Sequence, residues 1–142
     1  MPRHKPSLVP ELIVADLRQS LAFWRDLIGF RVLYDRPEHG FAYLARGTAE
    51  VMLEQHDTAD RSWVTAPLDR PLGRGINFQI EVEAIAPILA RLHAASWPLF
   101  LAPEEKWYRD GMVEHGQRQF LVQDSDGYLL RLAESLGTRP RA

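Results

Sequence analysis

The sequence predicts an α+β fold built from two βαβββ modules. Patterns typical of one strand, one helix and three strands occupy residues 8–55 and recur over residues 75–135. A polar segment rich in Pro and Gly, residues 56–74, separates them as a linker. Val14 and Val82 hold matching positions about 68 residues apart, as in duplicated units. We expect the two modules to form an incomplete barrel around a cleft.

The first module begins with a strand over residues 8–15, in which Pro10 indicates an irregular or edge start. Asp16 is a typical N-cap, because its carboxylate can accept hydrogen bonds from the free N–H groups of a first helical turn. Gly29 is placed to end that helix. Apolar side chains recur between them at helical spacing: Leu17, Leu21, Trp24, Leu27 and Ile28.

Three strands complete the first module, over residues 30–34, 41–45 and 50–55. In the last of these, Val51 and Leu53 are expected to pack under the helix. That register leaves Met52 and Glu54 on the opposite face, toward the cleft.

The second module begins with strict alternation over residues 75–83 and continues with a helix that has Pro87 in its first turn. Three extended runs follow, over residues 98–102, 106–109 and 117–123. The turn Asp124-Ser125-Asp126-Gly127 leads into a last strand, residues 128–134.

Composition excludes several classes of function. The 142 residues include no cysteine, so disulfides, thiolate metal sites and cysteine nucleophiles are excluded. A formal net charge of −2 gives no broad basic face for nucleic acid. No apolar run approaches a membrane span and no signal-peptide core follows the start, so we expect a cytoplasmic protein. We expect residues 1–142 to form a single domain.

Both ends of the chain resemble the vicinal oxygen chelate superfamily, which includes glyoxalases, bleomycin resistance proteins and dioxygenases. The first end is Val-Pro-Glu-Leu at 9–12 followed by Ala-Asp-Leu-Arg-Gln-Ser-Leu-Ala-Phe-Trp-Arg-Asp-Leu-Ile-Gly-Phe at 15–30. The second is Asp-Ser-Asp-Gly-Tyr-Leu-Leu-Arg-Leu at 124–132. The resemblance covers about residues 8–135 and implies the two-module fold.

The metal enzymes of this superfamily hold an ion with four side chains, and the resemblance maps those positions onto this chain. Three of them become Val9, Asn77 and Arg131, none of which suits a divalent ion. Glu54 alone remains as a candidate ligand. We therefore expect no bound metal, no cofactor and no catalytic residue. We also expect Glu54 and Arg131 to pair across the cleft floor.

These departures resemble the bleomycin resistance branch, whose members sequester the drug as homodimers without breaking a bond. The resemblance implies a small antibiotic-like ligand, and aromatic planes with acids and amides suit one that is flat and cationic. Because Trp107 and Tyr108 are neighbours in a strand, at most one should line the cleft directly. The candidate ligand-binding residues are Phe41, Tyr43, Glu54, Trp63, Asn77, Gln79, Trp107, Tyr108 and Arg131.

Other interpretations stay open. Phe41 and Tyr43 also fit half-buried sheet positions, and Trp63 could pack in a dimer interface. The competing class is a metal-dependent enzyme of glyoxalase or dioxygenase type, with a displaced site formed by Glu54, His56 and a donor from the second module. A third alternative is a carrier or sensor that binds a ligand other than an antibiotic.

Overall fold

The computed structural model describes residues 4–57 and 63–142, so part of the predicted linker lies outside the described residues. The chain divides into two compact units, Met1–Leu72 and Gly73–Ala142. Each unit builds its own four-stranded mixed sheet, and the two sheets have equivalent strand orders. The prediction of two βαβββ modules is confirmed. Among the described helices, none is long and apolar enough to cross a membrane.

The first unit contains strands β1 (Glu11–Val14), β2 (Arg31–Arg36), β3 (Phe41–Arg46) and β4 (Ala49–Gln55), with helix α1 (Leu17–Phe23) after β1. The strands lie in the order β1-β4-β3-β2. β1 runs parallel to β4, because the helix carries the chain back to the start of the sheet, whereas the other neighbours are antiparallel.

Helix α1 begins where its sequence predicts. The Asp16 carboxylate accepts the N–H of Gln19 at 3.2 Å, which confirms the N-cap. Trp24 is 1% exposed and belongs to the core. A π-helical turn, Trp24–Ile28, extends the helix, and Gly29 ends it with a φ of 100°. The apolar spacing did not reveal this wider turn. The Trp24 ring contacts the Phe30 ring edge to face.

Pairing between β3 and β4 sorts side chains onto two faces. Leu44 pairs with Val51 and Ala42 pairs with Leu53, and all four are buried. This apolar face follows the predicted alternation, since α1 packs against β4. Phe41, Tyr43, Met52 and Glu54 share the other face. The predicted register of β4 is therefore confirmed.

The second unit contains β5 (Asn77–Val82), α2 (Ala86–Ala94), β6 (Leu101–Asp110), β7 (Val113–Gln123) and β8 (Leu129–Pro140). These strands lie in the order β5-β8-β7-β6. The Glu134 carboxylate on β8 accepts the N–H of Ile85 at 3.0 Å and so caps the start of α2.

Several predicted boundaries are wrong. β1 starts at Glu11, because Pro10 has no N–H to donate to the hydrogen bonds of the sheet. Leu8 lies outside the strand and is 84% exposed. The predicted runs 98–102 and 106–109 correspond to a single strand, β6, which begins only at Leu101. Its pairing with β7 shifts between Leu101 and Glu104, so the strand continues past Pro103 with an irregularity instead of ending there. β8 continues to Pro140 as the partner of a long β7, well beyond the predicted end at 134.

The turn between β7 and β8 is organised by one buried carboxylate. Asp124 Oδ1 accepts the backbone N–H groups of Asp126, Gly127 and Tyr128, each at 2.9 Å. Asp124 is 5% exposed, so water is a poor substitute for these bonds. The turn fixes the register in which β8 leaves β7.

Replacing Asp124 tests this role. We expect Asp124→Ala to lower the free energy of unfolding by about 2 to 4 kcal/mol, because three backbone donors lose a buried charged acceptor. Asp124→Asn keeps one carbonyl oxygen and should lose less. Urea denaturation followed by circular dichroism measures both, and equal losses in the two variants would contradict the account.

Candidate functional site

The face of the first sheet that carries Glu54 is organised in two rows of paired side chains. One row crosses the sheet from Glu11 through Met52 and Tyr43 to Tyr34. The neighbouring row runs Ile13, Glu54, Phe41, Arg36. We call these eight residues the aromatic–acidic face. Carboxylates lie at its β1–β4 side and aromatic rings at its β3–β2 side.

The aromatic rings of this face form a continuous group. Tyr34 stacks on Tyr43 with ring centroids 5.0 Å apart and planes 17° from parallel, and Tyr34 lies 6.1 Å from Phe41. Phe41 and Tyr43 are each 4% exposed, whereas Tyr34 is 41% exposed. The Tyr43 hydroxyl donates to Glu50 at 2.6 Å, which fixes its ring. Tyr34 is therefore the accessible end of a rigid aromatic stack.

A planar cation of the chain already occupies part of this face. The Arg36 guanidinium carbon lies 4.0 Å from the centroid of Phe41 and 5.9 Å from that of Tyr34. Both distances fall within the range of cation–π attraction. The aromatic rings of this face therefore already contact one flat, delocalised cation, the Arg36 guanidinium.

Two carboxylates make the same face electronegative. Burial raises the pKa of the Glu11 carboxyl, the charge of Glu54 raises it further, and Arg36 acts in the opposite direction. Each of the two negative charges disfavours the ionised form of the other carboxyl group. A cation that came to lie between them would relieve that repulsion.

Sequence reasoning missed Tyr34 and Arg36 because of a β-bulge. The pairing of β2 with β3 shifts between Val32 and Tyr34. In an unshifted ladder, alternation would bring Leu33 and Asp35 onto the aromatic–acidic face. The extra residue brings Tyr34 and Arg36 there instead. No turn residue or periodicity in the sequence signals this shift.

The structure separates the remaining candidates of the first unit. Phe41, Tyr43 and Glu54 lie together on the aromatic–acidic face. Trp63 lies in the segment after β4 and is 75% exposed. The predicted pair between Glu54 and Arg131 would join the two units and stays a prediction.

In the second unit, the strand pairing brings Asn77, Gln79 and Arg131 onto one face. Tyr108 belongs to this face, because its hydroxyl accepts a hydrogen bond from Gln119 at 2.7 Å. Trp107 lies on the opposite face, across from Gly116. There the Arg139 guanidinium carbon lies 4.0 Å from its ring centroid, and a Cβ on Gly116 would come within 2.5 Å of the ring. The two aromatic neighbours therefore diverge, as alternation predicts.

His56, the histidine considered for a displaced metal site, lines a polar cavity of about 960 Å³ beside α1. The wall of that cavity also includes Asp16, His39 and Asp57, but not Glu54. Across residues 4–57 and 63–142, no three side chains of His, Cys, Asp or Glu are grouped so as to hold a metal ion. The displaced site of the metal-enzyme hypothesis needs a donor from the second unit and stays a hypothesis.

The sequence profile of the Glyoxalase/Bleomycin resistance protein/Dioxygenase superfamily matches residues 8–132. The chain belongs to this superfamily. The resemblance noted in the sequence is confirmed at this level, and the match spans both βαβββ units.

Several individual proteins resemble the chain along most of its length. A bleomycin resistance protein from Geobacillus stearothermophilus is 26% identical over 136 residues, covering 90% of this chain and 96% of that protein. A bleomycin resistance protein from Staphylococcus aureus gives the same values. TioX from Micromonospora sp. ML1 has a similar structure, with a TM-score of 0.69, 22% identity and coverage of 95% and 100%.

A virulence protein from Salmonella typhimurium shares the fold more distantly. Its TM-score is 0.66 at 16% identity, with 94% of this chain and 97% of that chain covered. At such identities the structural likeness concerns the fold alone. The superfamily contains both binding proteins and enzymes, so its fold does not determine the function of this chain.

The electrostatics of the aromatic–acidic face can be tested directly. We expect Glu54→Gln to lower the pKa of Glu11, because a nearby negative charge is removed, and Arg36→Gln to raise it, because a positive charge is removed. A pH titration of the side-chain carboxyl carbon of Glu11 by NMR measures both shifts. Shifts in the same direction in the two variants would contradict the described face.

Proposed function

We propose that this protein is a metal-free binding protein that sequesters a flat, cationic, aromatic ligand of the bleomycin type without changing it. The observation that carries the proposal is the stack of Tyr34, Tyr43 and Phe41 on the same face as the carboxylates of Glu11 and Glu54. The similarity to bleomycin resistance proteins over 90% of the chain supports this choice of ligand.

The chemistry of the face favours such a ligand over a neutral one. Tyr34 offers an exposed π surface, and stacking on it would continue a stack that is already in place. A positive charge on the ligand would meet Glu11 and Glu54 and relieve their mutual repulsion. Arg36 would compete for the same surface, so a bound ligand must match or displace its guanidinium.

The proposal includes a homodimer in the cytoplasm, and its ground is the resemblance to the bleomycin resistance branch. Sequestration requires no catalytic group. It requires only that the ligand be held in a stoichiometric complex, which a rigid preformed aromatic surface favours because little side-chain freedom is lost on binding.

Binding of metal-free bleomycin to variants of the face tests the proposal. We expect Tyr34→Ala to weaken binding by about threefold to tenfold through loss of stacking, while Tyr34→Phe retains it. Glu54→Gln should weaken binding by about as much, because a carboxylate partner is lost. Tryptophan fluorescence titration in a chelator-containing buffer measures the dissociation constants.

Glu38→Gln is the matched control for charge, since Glu38 lies in the exposed turn before β3 and outside the aromatic–acidic face. It should bind within twofold of the wild type. Absence of binding at micromolar drug would remove bleomycin as the ligand. A stoichiometric metal in protein purified without chelator, lost in Glu54→Ala, would favour the metal-dependent enzyme.

The raised pKa of Glu11 predicts a pH dependence. A cation prefers the ionised carboxylate, and a raised pKa keeps Glu11 partly protonated above the usual range of a glutamate. The affinity for bleomycin should therefore rise roughly twofold to fivefold between about pH 4 and 6. Calorimetric titration at several pH values measures this. Glu11→Gln should flatten the profile, and an unchanged profile in that variant would contradict the assignment.

A further inference from the structure

Three glutamines of the second unit form a connected row of amides. Gln117 Nε2 donates to Gln119 Oε1 at 2.6 Å and to Gln79 Oε1 at 3.3 Å. Gln119 Nε2 donates to Glu104 Oε1 at 2.9 Å and to the Tyr108 hydroxyl at 2.7 Å. We call Gln79, Gln117 and Gln119 the amide row. Gln119, at its centre, is 3% exposed, so its polar atoms depend on these partners.

The Glu104 carboxylate sets the direction of the whole row. An ionised carboxylate only accepts hydrogen bonds, so the Gln119 amide must turn its nitrogen toward Glu104 and its oxygen toward Gln117. Gln117 then uses both amide hydrogens, on Gln119 and on Gln79. In the described structure, this leaves the Gln117 oxygen as an acceptor and the Gln79 nitrogen as a donor toward a bound molecule.

Arg131 lies beside this row and has a buried donor in need of an acceptor. It is the direct partner of Gln79 in the pairing of β5 with β8. Its Nε is buried, and within residues 4–57 and 63–142 no group accepts a hydrogen bond from it. A buried N–H without an acceptor costs free energy, so an acceptor from outside the chain would stabilise this arrangement.

We propose that the amide row and Arg131 together recognise an amide group of the ligand, either a peptide bond or a carboxamide. The ligand's carbonyl oxygen accepts from Arg131 and Gln79, and its N–H donates to the Gln117 oxygen. Glu104 is a positioning residue, because it acts only through Gln119. This inference rests on the proposed function, since both assume a small molecule bound at these sheet faces.

Benzamide and methyl benzoate test the inference in the full-length protein. The two probes have nearly the same flat shape and both carry a carbonyl oxygen, but only benzamide has N–H groups. We expect benzamide to bind about threefold to tenfold more tightly. It should also shift the side-chain NMR resonances of Gln79, Gln117 and the Arg131 Nε–H.

Two variants separate the roles. Glu104→Gln frees the amide row to reverse, so discrimination between the probes should fall to within twofold. Glu105→Gln is the matched control, because it makes the same charge change one residue along, and it should keep the wild-type ratio. Arg131→Gln should weaken both probes alike, since both offer the carbonyl oxygen. A general loss of fold stability would weaken both probes alike, so it would not change the ratio of the two dissociation constants.

Equal affinity of the wild-type protein for both probes would overturn the inference. Unchanged discrimination in Glu104→Gln would do the same. NMR resonances that do not move on addition of benzamide would also overturn it, and would leave only an ordered water as the partner of Arg131. If bleomycin binds as proposed but benzamide does not shift these resonances, the inference falls and the proposed function stands. If bleomycin does not bind while benzamide behaves as expected, the proposed function falls and the inference stands.

Discussion

The pairing of Phe41 with Glu54 is the constraint on which the candidate site depends. Side chains alternate along a strand, so a slip of one residue would exchange the two faces of the first sheet. The buried residues Leu44 and Leu53 prevent that slip, because it would expose them and bury a carboxylate in their place. The apolar core therefore holds the polar and aromatic groups in register.

A second constraint, the bulge in β2, completes the face. It turns Tyr34 and Arg36 toward Phe41 and Tyr43, where regular alternation would bring Leu33 and Asp35. With the bulge, the aromatic side of the face carries a cation rather than a third carboxylate. The guanidinium of Arg36 opposes the rise in the pKa of Glu11 and lies over the Phe41 ring, so it defines the chemistry that a competing ligand must offer.

Much of the fold followed from the sequence because its signals are local. Asp16, Gly29 and the helical spacing predicted α1, and the alternation in residues 50–55 predicted which side of β4 faces away from it. The site was only partly predictable, since the bulge and the amide row depend on pairing between strands. Tyr34, Gln117 and Gln119 were each assigned to a strand but not to a site. Their partners lie on other strands, and sequence spacing does not encode register.

The central claim is that the protein holds its ligand without a metal and without chemistry. Equilibrium dialysis of chelator-washed protein against bleomycin, followed by mass spectrometry of the recovered drug, tests it most directly. The account predicts saturable, stoichiometric binding and a drug of unchanged mass. Binding that requires an added divalent metal, or recovery of a chemically altered drug, would contradict it.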